Sequence, residues 1–163
     1  AVKYLIDQGH NRIAYITGDL DLVASHLRLE GYRQALFEAG ISLRSSLIEK
    51  GNFTRDSGYQ AIKKLLAKDV SFTAVFAAND VMAMGAIKAL KDVGINVRAR
   101  CAVMGFDGID LGTYIDPQLT TMRQPIYQLG QKACDMLIKL IKGEKLIQRQ
   151  KVFSVNRLIR ESV

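Results

Sequence analysis

Polar residues follow the carboxyl ends of four short apolar runs in the chain. These ends are Tyr15-Ile16-Thr17-Gly18-Asp19, Glu49-Lys50-Gly51-Asn52-Phe53, Phe76-Ala77-Ala78-Asn79-Asp80 and Val103-Met104-Gly105-Phe106-Asp107. A helical pattern follows each run, and this alternation predicts βα units with a parallel sheet. Ligands of open parallel sheets bind outside the carboxyl ends of the strands. The sequence therefore predicts one small-molecule site to which several loops contribute.

The chain does not contain the motifs of common catalytic and cofactor sites. Phosphate loops, dinucleotide fingerprints, zinc-ligand patterns and nucleophile elbows are all absent from the sequence. His10 fits a turn that closes the first helix, and His26 fits an exposed position. Neither histidine has an identifiable nucleophile as a partner. We therefore expect no catalytic residue, no metal site, no cofactor and no enzymatic activity.

Apolar periodicity predicts the elements that position these polar ends. The fold class is α/β, a parallel sheet flanked by helices, and the apolar run Thr73–Ala77 is expected near its centre. Either Asn79 or Asp80 can cap the helix that follows. Helices are predicted near 2–8, over 25–38, after Thr54, after Asn79 and over 125–143, and strands over 13–17, 47–50, 73–77, 102–105, 119–122 and 152–155.

Bulk composition indicates one globular domain over 1–163. The net charge of +7 raises the possibility of a nucleic-acid partner, but the 23 Lys and Arg residues are spread along the chain, which favours an ordinary solvated basic surface. No apolar stretch approaches the ~20 residues of a membrane helix. Cys101 and Cys134 form no CxxC motif and are both expected to be buried thiols. With no secretory signal visible, we expect a cytoplasmic protein.

Several stretches resemble the effector-binding part of the LacI/GalR family of bacterial transcriptional repressors. They follow one another in family order with family spacing over essentially the whole chain. The stretches are Gly9-His10-Asn11-Arg12-Ile13-Ala14, Arg28-Leu29-Glu30-Gly31-Tyr32, Phe76–Ala86, Val103-Met104-Gly105-Phe106-Asp107, Leu119-Thr120-Thr121 and Leu158-Ile159-Arg160-Glu161-Ser162. The resemblance implies a lobe like those of periplasmic sugar-binding proteins.

The family architecture also implies what the chain would represent in a longer protein. Family members carry an N-terminal helix-turn-helix and a two-lobed core, and this chain matches mainly the second lobe. Operator DNA would then be bound only through an N-terminal domain absent from this sequence. In the family, the helix at 125–143 packs on the first lobe. Without that lobe, we expect its apolar face to pack on its own lobe or on a second copy of the chain.

The resemblance assigns five residues to the effector pocket. Arg28 would donate to ligand hydroxyls or a carboxylate, and Asp107 would accept two sugar hydroxyls. Phe53 would stack on a sugar or base face, and Asn79 and Gln124 would each make one polar contact. Each residue also has an ordinary structural alternative. The alternatives are a surface arginine for Arg28, a turn cap for Asp107 and a core plug under the loop for Phe53. They are a helix cap for Asn79 and an exposed hinge residue for Gln124.

The resemblance further implies a homodimer, with Met84 and Tyr114 as candidate interface contacts. Its partner would be a small-molecule effector, most often a sugar in this family, although some relatives sense purines or a phosphorylated protein. A periplasmic-type sugar-binding protein of a transport system is the alternative with the same fold. A helix-turn-helix or a signal peptide upstream of Ala1 would distinguish the two.

Overall fold

The computed structural model of the protein describes residues 1–68 and 70–163. Its strands are β1 Ile13–Ile16, β2 Ile48–Glu49, β3 Ala74–Ala77, β4 Ala102–Asp107, β5 Thr120–Arg123 and β6 Asn156–Leu158. They form one sheet in the order β2-β1-β3-β4-β5-β6. The first five strands pair in parallel, and β6 pairs antiparallel with β5. The predicted parallel sheet is confirmed for β1 to β5, with β3 in its interior, and only the antiparallel edge strand β6 departs from it.

Two helix pairs pack around the sheet. The helices are α1 Val2–Asp7, α2 Val23–Glu38, α3 Arg55–Ala67, α4 Asp80–Asp92 and α5 Ile126–Ile141. α1 packs with α2, and α3 packs with α4. The second pair requires glycine at its contact, because a Cβ atom at Gly58 would lie 2.1 Å from the carbonyl oxygen of Met82. Among the described residues, no helix has both the length and the apolar character needed to cross a membrane.

Aromatic stacking fixes α2 over the sheet. The ring of Tyr15 on β1 stacks on Tyr32 of α2 at a centroid distance of 4.9 Å, and on Phe76 of β3 at 5.3 Å. The hydroxyl of Tyr32 donates to the carbonyl of Ile13 at 2.9 Å. These contacts set the position of α2 relative to β1 and β3. The first half of α2, which carries Arg28, is thereby held beside the end of β3.

The last strand lies further along the chain than the sequence predicts. The apolar run 152–155 was the expected strand, but pairing with β5 begins only at Asn156, opposite Arg123. Strand position here depends on the hydrogen bonds that β5 offers, which the residue types of the run do not encode. The chain then ends inside the lobe, where the buried Ser162 hydroxyl donates to the carbonyl of Val103 at 2.6 Å.

One expectation about buried side chains is wrong, and one of the two alternatives for the apolar face of α5 does not hold. Cys101 is buried as predicted, but Cys134 is exposed. The reason is its place on α5, which buries none of its residues against the described part of the chain. The apolar face of α5 therefore does not pack on its own lobe. Of the two alternatives, packing on a second copy of the chain stays a prediction.

Candidate functional site

The carboxyl ends of β4 and β5 place Asp107 and Gln124 side by side. Asp107 is the last residue of β4 and lies opposite Arg123 of β5. The amide of Gln124 donates through Nε2 to Oδ1 of Asp107 at 2.8 Å, and its backbone N–H donates to the Asp107 carbonyl at 3.1 Å. This pairing orients the carboxylate at the edge of the sheet where the site was predicted.

Arg28 completes this polar cluster from α2. Its Nη2 atom lies 3.5 Å from Oδ1 of Asp107, and its Nη1 atom donates to the carbonyl of Ala78. The guanidinium carbon lies 4.4 Å from the centroid of the Phe106 ring. The side chains of Arg28 and Asp107 remain 19% and 25% exposed. Both are therefore held in place and still accessible to a ligand.

Phe53 closes the cluster on the side of β1. Its ring centroid lies 6.0 Å from the guanidinium carbon of Arg28, and its backbone has a positive φ of 66°. The ring lies directly over Gly18, where a Cβ atom would come within 2.0 Å of the Phe53 Cζ atom. Gly18 at the end of β1 is therefore required for this position of the ring. The guanidinium thus has an aromatic ring near it on two sides, Phe53 and Phe106.

Asn79 lies next to the cluster, but its side chain is used within the lobe. Its Oδ1 atom accepts the backbone N–H of Met82 at 2.9 Å and so caps α4, which resolves the choice between Asn79 and Asp80. Its Nδ2 atom donates to the carbonyl of Phe53 at 3.2 Å. Asn79 is 7% exposed. It therefore ties the Phe53 loop to the start of α4, and a contact with a ligand stays a prediction.

Asp80 is a buried support beneath this edge of the sheet. Its Oδ2 atom accepts the backbone N–H groups of Gly108 and Ile109, each at 2.8 Å. Its Oδ1 atom accepts the hydroxyl of Thr121. Two of these bonds hold the loop that follows Asp107, and the third holds β5. Asp80 thus fixes the separation of β4 and β5 without being exposed to a ligand itself.

Burial governs the ionisation of both carboxyl groups. Desolvation raises the pKa of Asp107, and Gln124 and Arg28 partly oppose that rise. The nearby charge of Asp80 raises the pKa of Asp107 further. Desolvation likewise raises the pKa of Asp80, against the hydrogen bonds from Thr121, Ile109 and Gly108. The charge on Asp107 is therefore more sensitive to mild acid than that of an exposed aspartate.

Reasoning from the sequence did not identify three residues of this site: Gly18, Ala78 and Phe106. Gly18 and Phe106 were part of the strand ends from which the site was predicted. Their adjacency to polar residues was the available signal. The role of Ala78 is a backbone carbonyl, for which side-chain type carries no signal.

The remaining candidates for polar chemistry are His10 and clusters of metal-ligating side chains. Nδ1 of His10 lies 3.0 Å from the hydroxyl oxygen of Thr73, at the turn after α1, as predicted. Burial lowers the pKa of His10. Across residues 1–68 and 70–163, no group of three or more His, Cys, Asp or Glu side chains could hold a metal ion.

The two residues predicted for a dimer interface share one groove, separate from the polar cluster. Met84 of α4 and Tyr114 line a groove of about 670 Å³ together with Val81, Ile87, Leu111 and Ile115. Tyr114 is 83% exposed, and Met84 is partly buried. The groove also carries Lys88, Lys91 and Asp92 at its margin. The structure therefore joins an apolar floor to a charged border at this face.

Comparison with known proteins places this geometry in context. A family model described as a periplasmic binding protein-like domain matches residues 2–163. Catabolite control protein A of Priestia megaterium is 41% identical over 145 residues, which cover 88% of this chain and 44% of that protein. The ribose operon repressor of Escherichia coli K12 is 42% identical over 150 residues, covering 92% and 46%. The HTH-type transcriptional repressor CytR of the same strain is 39% identical over 162 residues, covering 99% and 48%.

Solved structures of transcriptional regulators also superpose on this chain. A complex of the transcriptional regulator CelR with cellobiose superposes with a TM-score of 0.96 at 37% identity, covering all of this chain and 50% of that one. The lac repressor bound to ONPG superposes with a TM-score of 0.92 at 31% identity, covering 99% and 48%. The chain spans about half the length of the curated relatives it matches.

Proposed function

Because this chain belongs to the LacI/GalR family of transcriptional regulators and has its periplasmic binding protein-like fold, we propose that it is the second lobe of an effector-binding core. Its ligand is a small sugar-like molecule, held at the carboxyl ends of the strands. In the intact protein, ligand binding controls the affinity of an N-terminal domain for operator DNA. The protein acts by binding and not by catalysis.

The observation that carries this proposal is the setting of the Asp107 carboxylate. Gln124 and Arg28 both approach its Oδ1 atom. Its Oδ2 atom receives no hydrogen bond from the described residues, so it remains an acceptor for a ligand hydroxyl. Phe53 and Phe106 offer apolar ring faces beside it, and the apolar face of a sugar ring suits such surfaces. A site with one fixed acceptor, one guanidinium donor and two aromatic faces fits a polyhydroxylated ring.

Coupling to DNA follows from the position of the site at the edge of the lobe. A ligand there would contact a first lobe as well as Arg28 and Asp107. It would favour whichever arrangement of the two lobes offers it more contacts, and it would shift the population toward that arrangement. An operator-binding domain that favours one arrangement would then respond to the ligand.

The exposed face of α5 supports the two-lobed arrangement. Six of its large apolar residues are each at least half exposed, namely Ile126, Tyr127, Leu137, Ile138, Leu140 and Ile141. An apolar stripe of this size on a soluble protein is typical of an interaction surface. We propose that a first lobe covers it, since the helix begins only two residues after Gln124, at the edge where the ligand is held.

The groove around Met84 and Tyr114 supports a two-fold dimer of the intact protein. Its apolar floor and the exposed Tyr114 ring suit a self-complementary contact. Symmetric operators are bound by dimers, so this face would bring two DNA-binding domains together. A transport protein of the same fold is not favoured, because the relatives reported above are named as repressors or regulators.

A thermal-shift screen of the chain joined to a first lobe tests the proposed ligand class. The panel holds pentoses, hexoses, disaccharides, sugar phosphates and purines. A ligand that binds only the folded state raises the melting temperature by mass action. We expect one sugar to give a dose-dependent shift that Asp107→Ala abolishes and that Asp7→Ala, an exposed aspartate on α1, leaves unchanged. If no sugar shifts the melting temperature, or if the protein turns one of them over, the proposal is contradicted.

A further inference from the structure

A basic tip, defined as residues 142–151, lies at the far end of the excursion between β5 and β6. It holds Lys142, Lys145, Arg149 and Lys151 against the single acid Glu144, so ten residues carry +3 of the net charge of +7. All four cations are exposed, and none of them forms an ion pair with a described residue. Although Lys and Arg residues are spread along the chain, this segment carries more net positive charge than its length alone would give.

The architecture sends this tip away from the lobe. The excursion leaves after Arg123 and returns at Asn156, and these two residues are paired with each other at the site edge. Between them, α5 has 16 residues and buries none of them. A helix of that length spans roughly 24 Å. The tip follows directly after α5, so it lies about that far from the edge that holds the proposed effector.

The side chains of the tip suit phosphate groups. Gln148, Arg149, Gln150 and Lys151 follow one another and alternate amide donors with cations. Guanidinium, ammonium and amide N–H groups are the side-chain donors that most often contact phosphate oxygens of DNA. Lys145 and Lys151 also line one pocket of about 180 Å³ with Gln148 and Gln150. Lys142, by contrast, is the C-terminal cap of α5 and complements the negative end of the helix dipole.

We propose that the basic tip contacts the phosphate backbone of DNA, without reading its sequence. This inference rests on the proposed function, because a first lobe packed along α5 leaves the tip at the end of the core remote from the second lobe. An N-terminal DNA-binding domain precedes that first lobe. Lys145, Arg149 and Lys151 would add a sequence-independent electrostatic contribution to operator binding.

Fluorescence anisotropy of the 163-residue chain with a 40-base-pair duplex of random sequence tests the tip directly. This chain has no other proposed DNA-binding element, so binding reports on its own surface. We expect a Kd of about 1–100 μM at physiological salt, as for non-specific binding, and tighter binding at low salt. Replacement of Lys145, Arg149 and Lys151 together by Gln should weaken binding and lower the slope of log K against log salt by up to about 2.7, or about 0.9 for each phosphate contact.

A matched variant separates this site from net charge. Replacement of Arg44, Lys63 and Lys64 by Gln removes the same charge from other exposed positions and should leave the slope as it is. Equal losses in the two variants, or no binding by the unaltered chain, would overturn the proposal. Loss of binding to 1:1 phosphatidylcholine–phosphatidylglycerol vesicles without loss on DNA would assign the tip, with its exposed Ile147, to a membrane surface and would also overturn it.

The outcome is independent of the effector assay. The DNA measurement contains no effector, and the thermal-shift screen contains no DNA. A silent screen with a tip-dependent salt slope would reject the effector class and retain the tip. A sugar-dependent shift in melting temperature, together with a salt slope that the tip variant does not change, would retain the effector class and reject the tip. Circular dichroism melting of both triple variants confirms that they fold like the unaltered chain.

Discussion

Asp107 combines two properties that seldom occur together in one carboxylate. Its position at the strand end makes it accessible, and its burial by neighbouring residues raises its pKa. A carboxylate can accept hydroxyl hydrogens at both oxygens, whereas a protonated carboxyl group gives up part of that capacity. The ionised state is therefore the one that would bind a sugar, and its range begins at a higher pH than for an exposed aspartate.

Ligand affinity should consequently fall on mild acidification. We expect the Kd of the sugar found in the screen to rise as pH drops through the raised pKa of Asp107, beginning above the ~3.9 of an unperturbed aspartate. Titrations from pH 7.5 to pH 4 measure this. Asp107→Asn should bind weakly with a flat profile. Arg28, Gln124 and Asp80 are the groups that influence the pKa of Asp107, and Asp80 is itself a carboxyl group whose pKa is raised by burial.

The control for this prediction is Asp80→Asn. It removes the second titrating carboxyl group near the site while keeping an oxygen for the loop N–H groups. If Asp80→Asn still binds the sugar more weakly as the pH falls, the pH dependence is assigned to Asp107. A profile that disappears in Asp80→Asn and persists in Asp107→Asn would refute the assignment.

Asp80 also permits a prediction about stability. Asp80→Ala leaves the N–H groups of Gly108 and Ile109 without their acceptor in a part-buried setting. Unsatisfied buried donors cost about 1–3 kcal/mol each, and because these two are only part-buried, we expect the free energy of unfolding to drop by about 2–4 kcal/mol. Asp80→Asn should lose much less, because its amide oxygen can accept both N–H groups and its NH₂ group can donate to Thr121. Urea denaturation measures both, and equal losses would contradict the role given to the carboxylate.

At the scale of elements, α4 and α5 show two opposite uses of an apolar helix face. Leu90 of α4 is fully buried, whereas Leu140 of α5 is 53% exposed. A Leu→Ala change in a core costs about 2–5 kcal/mol, but one at an exposed position changes stability little. In the 163-residue chain we therefore expect Leu90→Ala to cost about 2–5 kcal/mol and Leu140→Ala less than about 0.5 kcal/mol.

Chemical denaturation at low protein concentration compares the two variants. Low concentration matters because a second copy of the chain could cover α5 in a concentrated sample. A loss for Leu140→Ala as large as that for Leu90→Ala would mean that α5 packs on its own lobe after all. A loss that appears only on joining a first lobe would support the proposed cover.

The same contrast explains how far the sequence could predict the elements. Periodicity placed α2 and α4 closely, because each has one buried face and a glycine, Gly40 or Gly94, shortly after its end. For α3 only the start, after Thr54, was predicted. Periodicity placed β6 too early, because that strand is mostly exposed and its start depends on the register with β5. It also predicted that Cys134 is buried. A helix face that packs on another protein surface has the same apolar periodicity as a face that packs inside its own chain.

The polar cluster was predictable to a similar extent. Asp107 and Phe106 stand at a strand end where a site was expected, and Arg28 matches the family motif on α2. The hydrogen bond from Asn79 to the Phe53 carbonyl was not predictable, because it joins residues 26 positions apart. Spacing along the chain identifies which residues reach one edge of a sheet, and only packing decides which of them face the ligand.

At the scale of the whole molecule, three surfaces are separate: the polar cluster around Asp107, the groove around Met84 and Tyr114 (the proposed dimer groove), and the basic tip. The first lies at the strand ends, the second involves α4 and the turn at Asp110–Thr113, and the third follows α5. In the proposed function, such separation would let an effector act on DNA affinity without competing for either interface. It requires, however, that the dimer groove rather than the apolar face of α5 holds two copies together.

Two tyrosines allow this requirement to be tested by a matched pair of changes. Tyr114 in the groove is 83% exposed and Tyr127 on α5 is 84% exposed, so replacing either one by Arg disturbs the single chain equally little. In a protein with both lobes restored, Tyr114→Arg places a charge in the centre of an apolar contact and should shift sedimentation equilibrium from dimer toward monomer by at least tenfold in Kd, about 1.4 kcal/mol. Tyr127→Arg should leave the dimer intact, because it affects only the contact between α5 and the first lobe. Dissociation by Tyr127→Arg alone would instead assign the dimer to α5, and the groove would then have no part in bringing two DNA-binding domains together.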